Sequence, residues 1–230
     1  YHNNFFSQIY AAELTDSASS TNSTFTEKSS TGHVVIAVDS TSQTGINAKA
    51  GFGDCVLFGP NEDYLQLPGS ADWNVENNSF TFETWIFWNQ VVNTPPNLYY
   101  LFSAGSPSVV GNWWIELDAV NDKIALKYFP AAGSITTVFE ETTIALQNYT
   151  WYHVAVVRDQ NDFYAWLGGT QVGTTTTNSV TLPYAVSEPA YVNATKLGSV
   201  GTSPSDDPYW SQGDGNGVKY EDIRKILQKW

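Results

Sequence analysis

From His33 to Gly169 the chain is written in short runs rich in β-branched and aromatic residues, the first three of them bounded by Gly, Pro, Asn or Asp. The runs are HVVIAV (33–38), CVLFG (55–59), DYLQLP (63–68), SFTFETWIFW (79–88), LYYLFSA (98–104), WWIELDA (113–119), KIALKYF (123–129), ITTVFEE (135–141), WYHVAVVRD (151–159) and FYAWLGG (163–169), followed by TKLGSV (195–200) and VKYEDIRKI (218–226). Such spacing predicts about a dozen strands and almost no helix. The sole helical ambiguity is YEDIRKILQKW, where Asp222, Ile223, Ile226 and Leu227 would also suit one amphipathic turn; strand is preferred for its first half. In SFTFETWIFW, alternation places Phe80, Phe82, Thr84, Ile86 and Trp88 on one face and Thr81, Glu83, Trp85 and Phe87 on the other. A strand apolar on both faces expects cover on both. The VND (120–122) and DQND (159–162) connections, and Gly168 with Gly169, read as hairpin reversals. Many short strands at this spacing make an all-β, two-sheet antiparallel jelly-roll sandwich.

Composition agrees with one domain. The 230 residues include 9 Trp, 13 Tyr and 12 Phe, ample apolar area for a core and unlike an acidic disordered chain. The formal net charge of −13 repels polyphosphate and anionic lipid, so nucleic acid and charged membrane surfaces are excluded as partners. No apolar run approaches the roughly 20 residues that span a bilayer. The chain contains no Met and opens on YHNNFFSQIY, which predicts a processed or partial chain. The single cysteine, Cys55, excludes an internal disulfide and reads as a buried, inert thiol in a strand. Residues 11–31 are dense in Ser and Thr without periodicity. They predict an extended, loop-rich segment over 1–30 ahead of a domain over 31–230.

Four pieces in order carry a family likeness: FTEKSSTGH (25–33), KAGFGDCVLFGPNEDYLQLPGSADWNVENNSFTFETWIFW (49–88), LQNYTWYHVAVVRDQNDFYAWLGGTQVG (146–173), and TKLGSVG (195–201) with GVKYEDIRKI (217–226). Together they resemble the laminin-G-like jelly roll of the concanavalin A-like lectin/glucanase superfamily. In style, FTEKSSTGH and SADWNVENNSFTFETW are most similar to bacteriophage virion examples. The resemblance implies an extracellular or virion-surface domain. It departs at SQIYAAEL, where an apolar strand leading into an Asp-Gly turn is usual.

Because the superfamily includes glucanases, paired carboxylates are the first chemistry to weigh. Glu116 and Asp118 lie two apart in a strand and share a face, as in retaining glucanases of this fold. Those enzymes place a third acid four residues after the first, about 5–5.5 Å from the nucleophile, to protonate the leaving sugar. Here that position is Val120, so no enzymatic activity is expected. His2, His33 and His153 form no nucleophile or zinc pattern. The loop 203–217 offers Asp206, Asp207 and Asp214 as hard oxygen donors for calcium. In the same loop Tyr209 and Trp210 could stack on a sugar ring, as could one of the adjacent Trp113 and Trp114, since a strand must turn one of that pair away from the core. Against this stands ordinary packing or subunit contact, where Trp and Tyr are also enriched. Four N-x-S/T patterns, at Asn22, Asn77, Asn148 and Asn193, are what chance supplies in a chain this rich in Asn, Ser and Thr. The expectation is a non-enzymatic structural or adhesive surface domain, in a virion or another extracellular assembly, contacting other proteins or its own copies, or attaching to a cell surface and its glycans. The alternative is a glycan-binding lectin-like module using the 203–217 loop.

Overall fold

The computed structural model describes residues 6–13, 23–27, 32–38, 41–44, 55–57, 64–88, 98–105, 110–118, 121–131, 134–142, 144–147, 150–182, 184–185, 187–192 and 219–228. Two antiparallel sheets face each other. In the larger, strands run β14-β13-β12-β7-β16-β1-β2: Thr170–Thr177, Asp162–Leu167, Thr150–Asp159, Phe80–Trp88, Lys219–Gln228, Phe6–Glu13 and Thr26–Glu27. Two further strands, β4 (Ser42–Thr44) and β5 (Cys55–Leu57), join it through β16. The smaller sheet runs β11-β10-β9-β8-β15-β6-β3: Ser134–Glu141, Lys123–Ala131, Trp113–Asp118, Leu98–Ala104, Ala190–Val192, Tyr64–Leu67 and Ile36–Val38. This is the jelly-roll sandwich that the strand spacing predicts. Among the described residues the only helical element is a 3-10 turn, Ala71–Trp73, capped by Ser70, whose hydroxyl accepts from the Asp72 amide.

Period-two alternation sorts β7 as expected. Phe80, Phe82, Thr84, Ile86 and Trp88 are buried toward the smaller sheet, while Thr81, Glu83 and Trp85 are half-buried on the outside. Val154, Val156, Phe163 and Ala165 join the same core layer. From the opposite sheet come Phe102, Trp113, Ile115, Leu117, Leu126 and Phe139. Rings interlock across the interior, with centroid separations of 5.6 Å for Phe82–Phe102, 5.5 Å for Phe102–Trp113 and 5.6 Å for Phe80–Trp113. Two of the buried indole donors bond to backbone: Trp113 Nε1 donates to the Trp73 carbonyl at 3.2 Å and Trp73 Nε1 to the Pro68 carbonyl at 2.9 Å.

Among the described residues, Arg158 carries its charge deepest into this interior. Arg158 is 1% exposed on the inner face of β12, opposite Phe80. Its guanidinium donates to the carbonyls of Gln160 (2.7 Å), Glu76 (2.6 Å) and Val180 (2.8 Å) and lies 5.0 Å from the Phe163 ring centre. Three loops at one end of the sandwich are thereby tied to one fork. Burial pulls the guanidinium below its ordinary value.

Several elements differ from the sequence expectation. Residues 1–30, expected as an extended loop-rich segment, contribute β1 and β2 to the larger sheet, with Phe6–Ala11 paired to β16. Backbone pairing with a central strand supplies what the Ser/Thr-rich composition around it obscures. The helix-compatible end of β16 is strand through Gln228, because it runs between β7 and β1; a register shift between Glu221 and Arg224 breaks the simple alternation. At DQND the left-handed residue is Gln160 (φ 56°), not Asn or Asp, whereas the VND turn does place it on Asp122 (φ 50°). TKLGSV lies outside the described residues.

Candidate functional site

Alternation on β9 sends Trp113, Ile115 and Leu117 into the core and Trp114, Glu116 and Asp118 to the outer face. Register then assembles their neighbours. Tyr100 of β8 and Ala125 of β10 stand opposite Glu116, and Lys127 stands opposite Trp114. Tyr100, Trp114 and Phe129 form a ring cluster beside the carboxylate. All four of these side chains are closed off, with Glu116 4% exposed and Trp114 3%. Trp114 Nε1 donates to one Glu116 oxygen at 2.8 Å, and the Lys127 ammonium takes the other. Beyond them Lys123 donates to Glu140 at 2.9 Å. That bond holds the Lys123 ammonium above the ordinary lysine range, with the charges of Glu140, Asp118 and Glu116 adding to it against a desolvation cost. Asp118 accepts from the Asn121 side chain at 2.7 Å and so closes its own turn.

This arrangement cannot perform retaining hydrolysis by the usual two-carboxylate route. Both oxygens of Glu116 are engaged by buried or half-buried donors, and the residue that would protonate a leaving group is Val120. The carboxylate balances an ammonium under a ring cluster instead of facing an open cleft.

The outer face of the larger sheet has another character. Trp85, Trp151, His153, Tyr164 and Trp166 are each half-buried there. His153 Nε2 lies 3.3 Å from Glu83 Oε2, and its ring centre is 5.2 Å from that of Trp85. The sequence reading placed Trp85 on this face but missed its assembly with Trp166. Counting residues outward from the DQND turn would have brought Trp166 level with Ala155, and the β7–β12 register then adds Glu83 to the row.

The residues singled out from sequence fare differently. Trp113 is corrected from ligand platform to core: it is 0% exposed and wedged between Phe80 and Phe102. Trp114 does turn away from the core, yet presents no open ring face. Tyr209, Trp210, Asp206, Asp207 and Asp214 lie outside the described residues. Among the described residues no three His, Cys, Asp or Glu side chains group as metal ligands, and no helix is long and apolar enough to cross a membrane.

Residues 59–212 match the Laminin_G_3 family of the concanavalin A-like lectin/glucanases superfamily. The chain belongs to this family. No curated protein sequence matches it. Among solved structures, this laminin-G-like chain is similar to the binding domain of Paraclostridial Mosquitocidal Protein 1, with TM-score 0.66, 11% identity, and coverage of 97% of this chain and 49% of that one. It is also similar to the botulinum neurotoxin serotype G binding domain (TM-score 0.63, 10% identity, 97% and 48%). A third likeness is to the binding domain of botulinum neurotoxin DC in complex with SialylT (TM-score 0.62, 12% identity, 97% and 48%). The laminin-G-like chain thus spans about half the length of these structures, and at such identities they share its fold alone.

Proposed function

We propose that this laminin-G-like chain is a non-catalytic recognition module that attaches to glycan-bearing surfaces outside the cell. The observation carrying this reading is Glu116: at the position of a glucanase nucleophile, its two oxygens are occupied by Lys127 and Trp114, and no acid follows at position 120. Structures of the same fold that serve as binding domains, one of them in complex with SialylT, support recognition over hydrolysis. A glycan array read beside a soluble β-glucan hydrolysis assay tests the reading. Binding without product release is expected, and hydrolysis abolished by Glu116→Gln would overturn it. A virion setting has the style of residues 25–33 and 70–85 in its favour; light scattering of the purified chain tests the accompanying self-association. The calcium proposal at Asp206, Asp207 and Asp214 is tested by calorimetry after chelation, where no heat at millimolar calcium counts against it.

A further inference from the structure

The outer face of β7, β12 and β13 is a transverse array set by register. One row reads Glu83, Ala155, Trp166, Gln171 across four strands; the next reads Trp85, His153; on the other side stand Thr81, Val157, Tyr164. The centre of the array is its smallest side chain, Ala155, which is 5% exposed beneath its larger neighbours. Around it are three half-buried rings, Trp85, Trp166 and Tyr164, and the His153 imidazole. Polar atoms sit at the edges of these rings: the Glu83–His153 pair at 3.3 Å, and Gln171, whose amide donates to the Thr175 hydroxyl at 3.4 Å. From strand spacing and rise, the Cα atoms of Trp85 and Trp166 are about 12 Å apart, a span that a short oligosaccharide bridges.

We infer that this face is a binding site for neutral pyranosides, with Trp166 and Tyr164 as stacking platform and Gln171, Glu83 and His153 as hydroxyl partners. The inference rests on the glycan-recognition reading above and names its site. Rings joined to fixed donors and acceptors suit a sugar, whose ring faces are apolar and whose rim is hydroxylated. An aliphatic protein contact is a poorer match, since the outward positions 81–87 of β7, 151–157 of β12 and 164–166 of β13 include no Leu, Ile or Met. Charge selects the neutral class. Those positions hold no Lys or Arg, Tyr164 feels the charges of Asp159 and Asp162, and in the adjacent β16 Lys219, Glu221 and Arg224 stand in register with Phe87, Trp85 and Glu83, so that with Glu83 two acids stand against two bases and the charge of Asp159 and Asp162 is left over. A sialylated or sulfated glycan would meet net negative charge.

The test is a glycan array, followed by calorimetry on the best neutral ligand, using wild type, Trp166→Ala, Gln171→Ala and Trp210→Ala. Trp166→Ala is expected to weaken binding about tenfold or more, Gln171→Ala by less, and Trp210→Ala not at all. The wild-type tryptophan emission is expected to shift on ligand addition, a readout that survives if Trp166→Ala does not fold. Wild-type binding that is lost only in Trp210→Ala overturns this site and leaves the recognition reading standing. Preference for anionic glycans overturns the ligand class. If Trp166→Ala changes the oligomeric state and not glycan affinity, the face is a contact between copies. A wild-type chain that binds no glycan at all removes both this inference and the reading beneath it.

Discussion

Replacing Arg158 by Met tests whether one guanidinium holds one end of the sandwich together. Met keeps much of the aliphatic volume over Phe163 but donates nothing to the carbonyls of Gln160, Glu76 and Val180. The Glu76 carbonyl also accepts from the Leu182 amide at 3.1 Å, so it keeps a donor. Gln160 and Val180 lose theirs, at about 1–3 kcal/mol for each buried group left unsatisfied. Removing a desolvated cation returns part of that cost, which leaves a net loss of about 2–4 kcal/mol. In a chain of this size that lowers Tm by about 4–16 °C. Urea unfolding followed by tryptophan emission, with linear extrapolation, measures the difference directly. Arg158→Lys is expected to fall between, because a single ammonium cannot face three carbonyls as the planar fork does. A midpoint for Arg158→Met equal to that of wild type would refute the reasoning and assign the three loops to packing alone.

Three further outcomes follow from the geometry. Gly173 has φ 66° and faces the Glu141 carboxylate, which accepts from the Thr174 amide at 2.9 Å; Gly173→Ala is expected to cost about 3 kcal/mol by chemical denaturation, combining left-handed strain with loss of that bond. Gly169→Ala, at φ 82° in open space, is expected to cost only about 1–2 kcal/mol, so equal losses would disprove the Glu141 contact. Lys127→Met leaves the buried Glu116 carboxylate short of its cation and is expected to destabilise by about 2–4 kcal/mol, while the double change with Glu116→Gln recovers most of it; simple additivity in that cycle would count against the pair. At high pH, burial pushes the Tyr184 hydroxyl up, and burial, with the neighbouring Tyr64 and Glu188, pushes Tyr191 up to about 12. A raised phenol pKa means the native state holds protons that the unfolded chain has released. Stability is therefore full below about pH 10 and falls as pH rises toward 12. Absorbance titration should show these phenols ionising together with unfolding, and Tyr191→Phe should flatten the decline.

How much could be read beforehand follows from which forces act locally. β7, β8 and β9 were legible almost to the residue, because period-two burial writes itself into SFTFETWIFW, while LYYLFSA and WWIELDA are compact apolar and aromatic runs of strand length. β1 and the end of β16 were not, since their strand state depends on partners distant in sequence, which override a Ser/Thr-rich setting in one case and a helical spacing in the other. The missing acid at Val120 was visible from spacing alone. The lysine that occupies Glu116 was not, because Lys127 reaches it only through the β9–β10 register. The pairing of Trp166 with Ala155 was within reach by counting from the DQND turn, but that of Ala155 with Glu83 was hidden for the same reason: strand alternation tells which face a residue takes, and register tells whom it meets there.

The position of β16 carries a consequence for how the chain reaches this state. Residues 219–228 lie between β7 on one side and β1 and β5 on the other, with Phe6 paired to Gln228. The larger sheet therefore stays split, with β7 an open edge, until nearly all of these residues have left the ribosome. Contacts of such sequence separation make slow folders, and the smaller sheet, whose described strands end at Val192, can close first. Fragments ending before Lys219 would expose the aromatic β7 edge and are expected to aggregate, while tags are better placed beyond Gln228 than inside it.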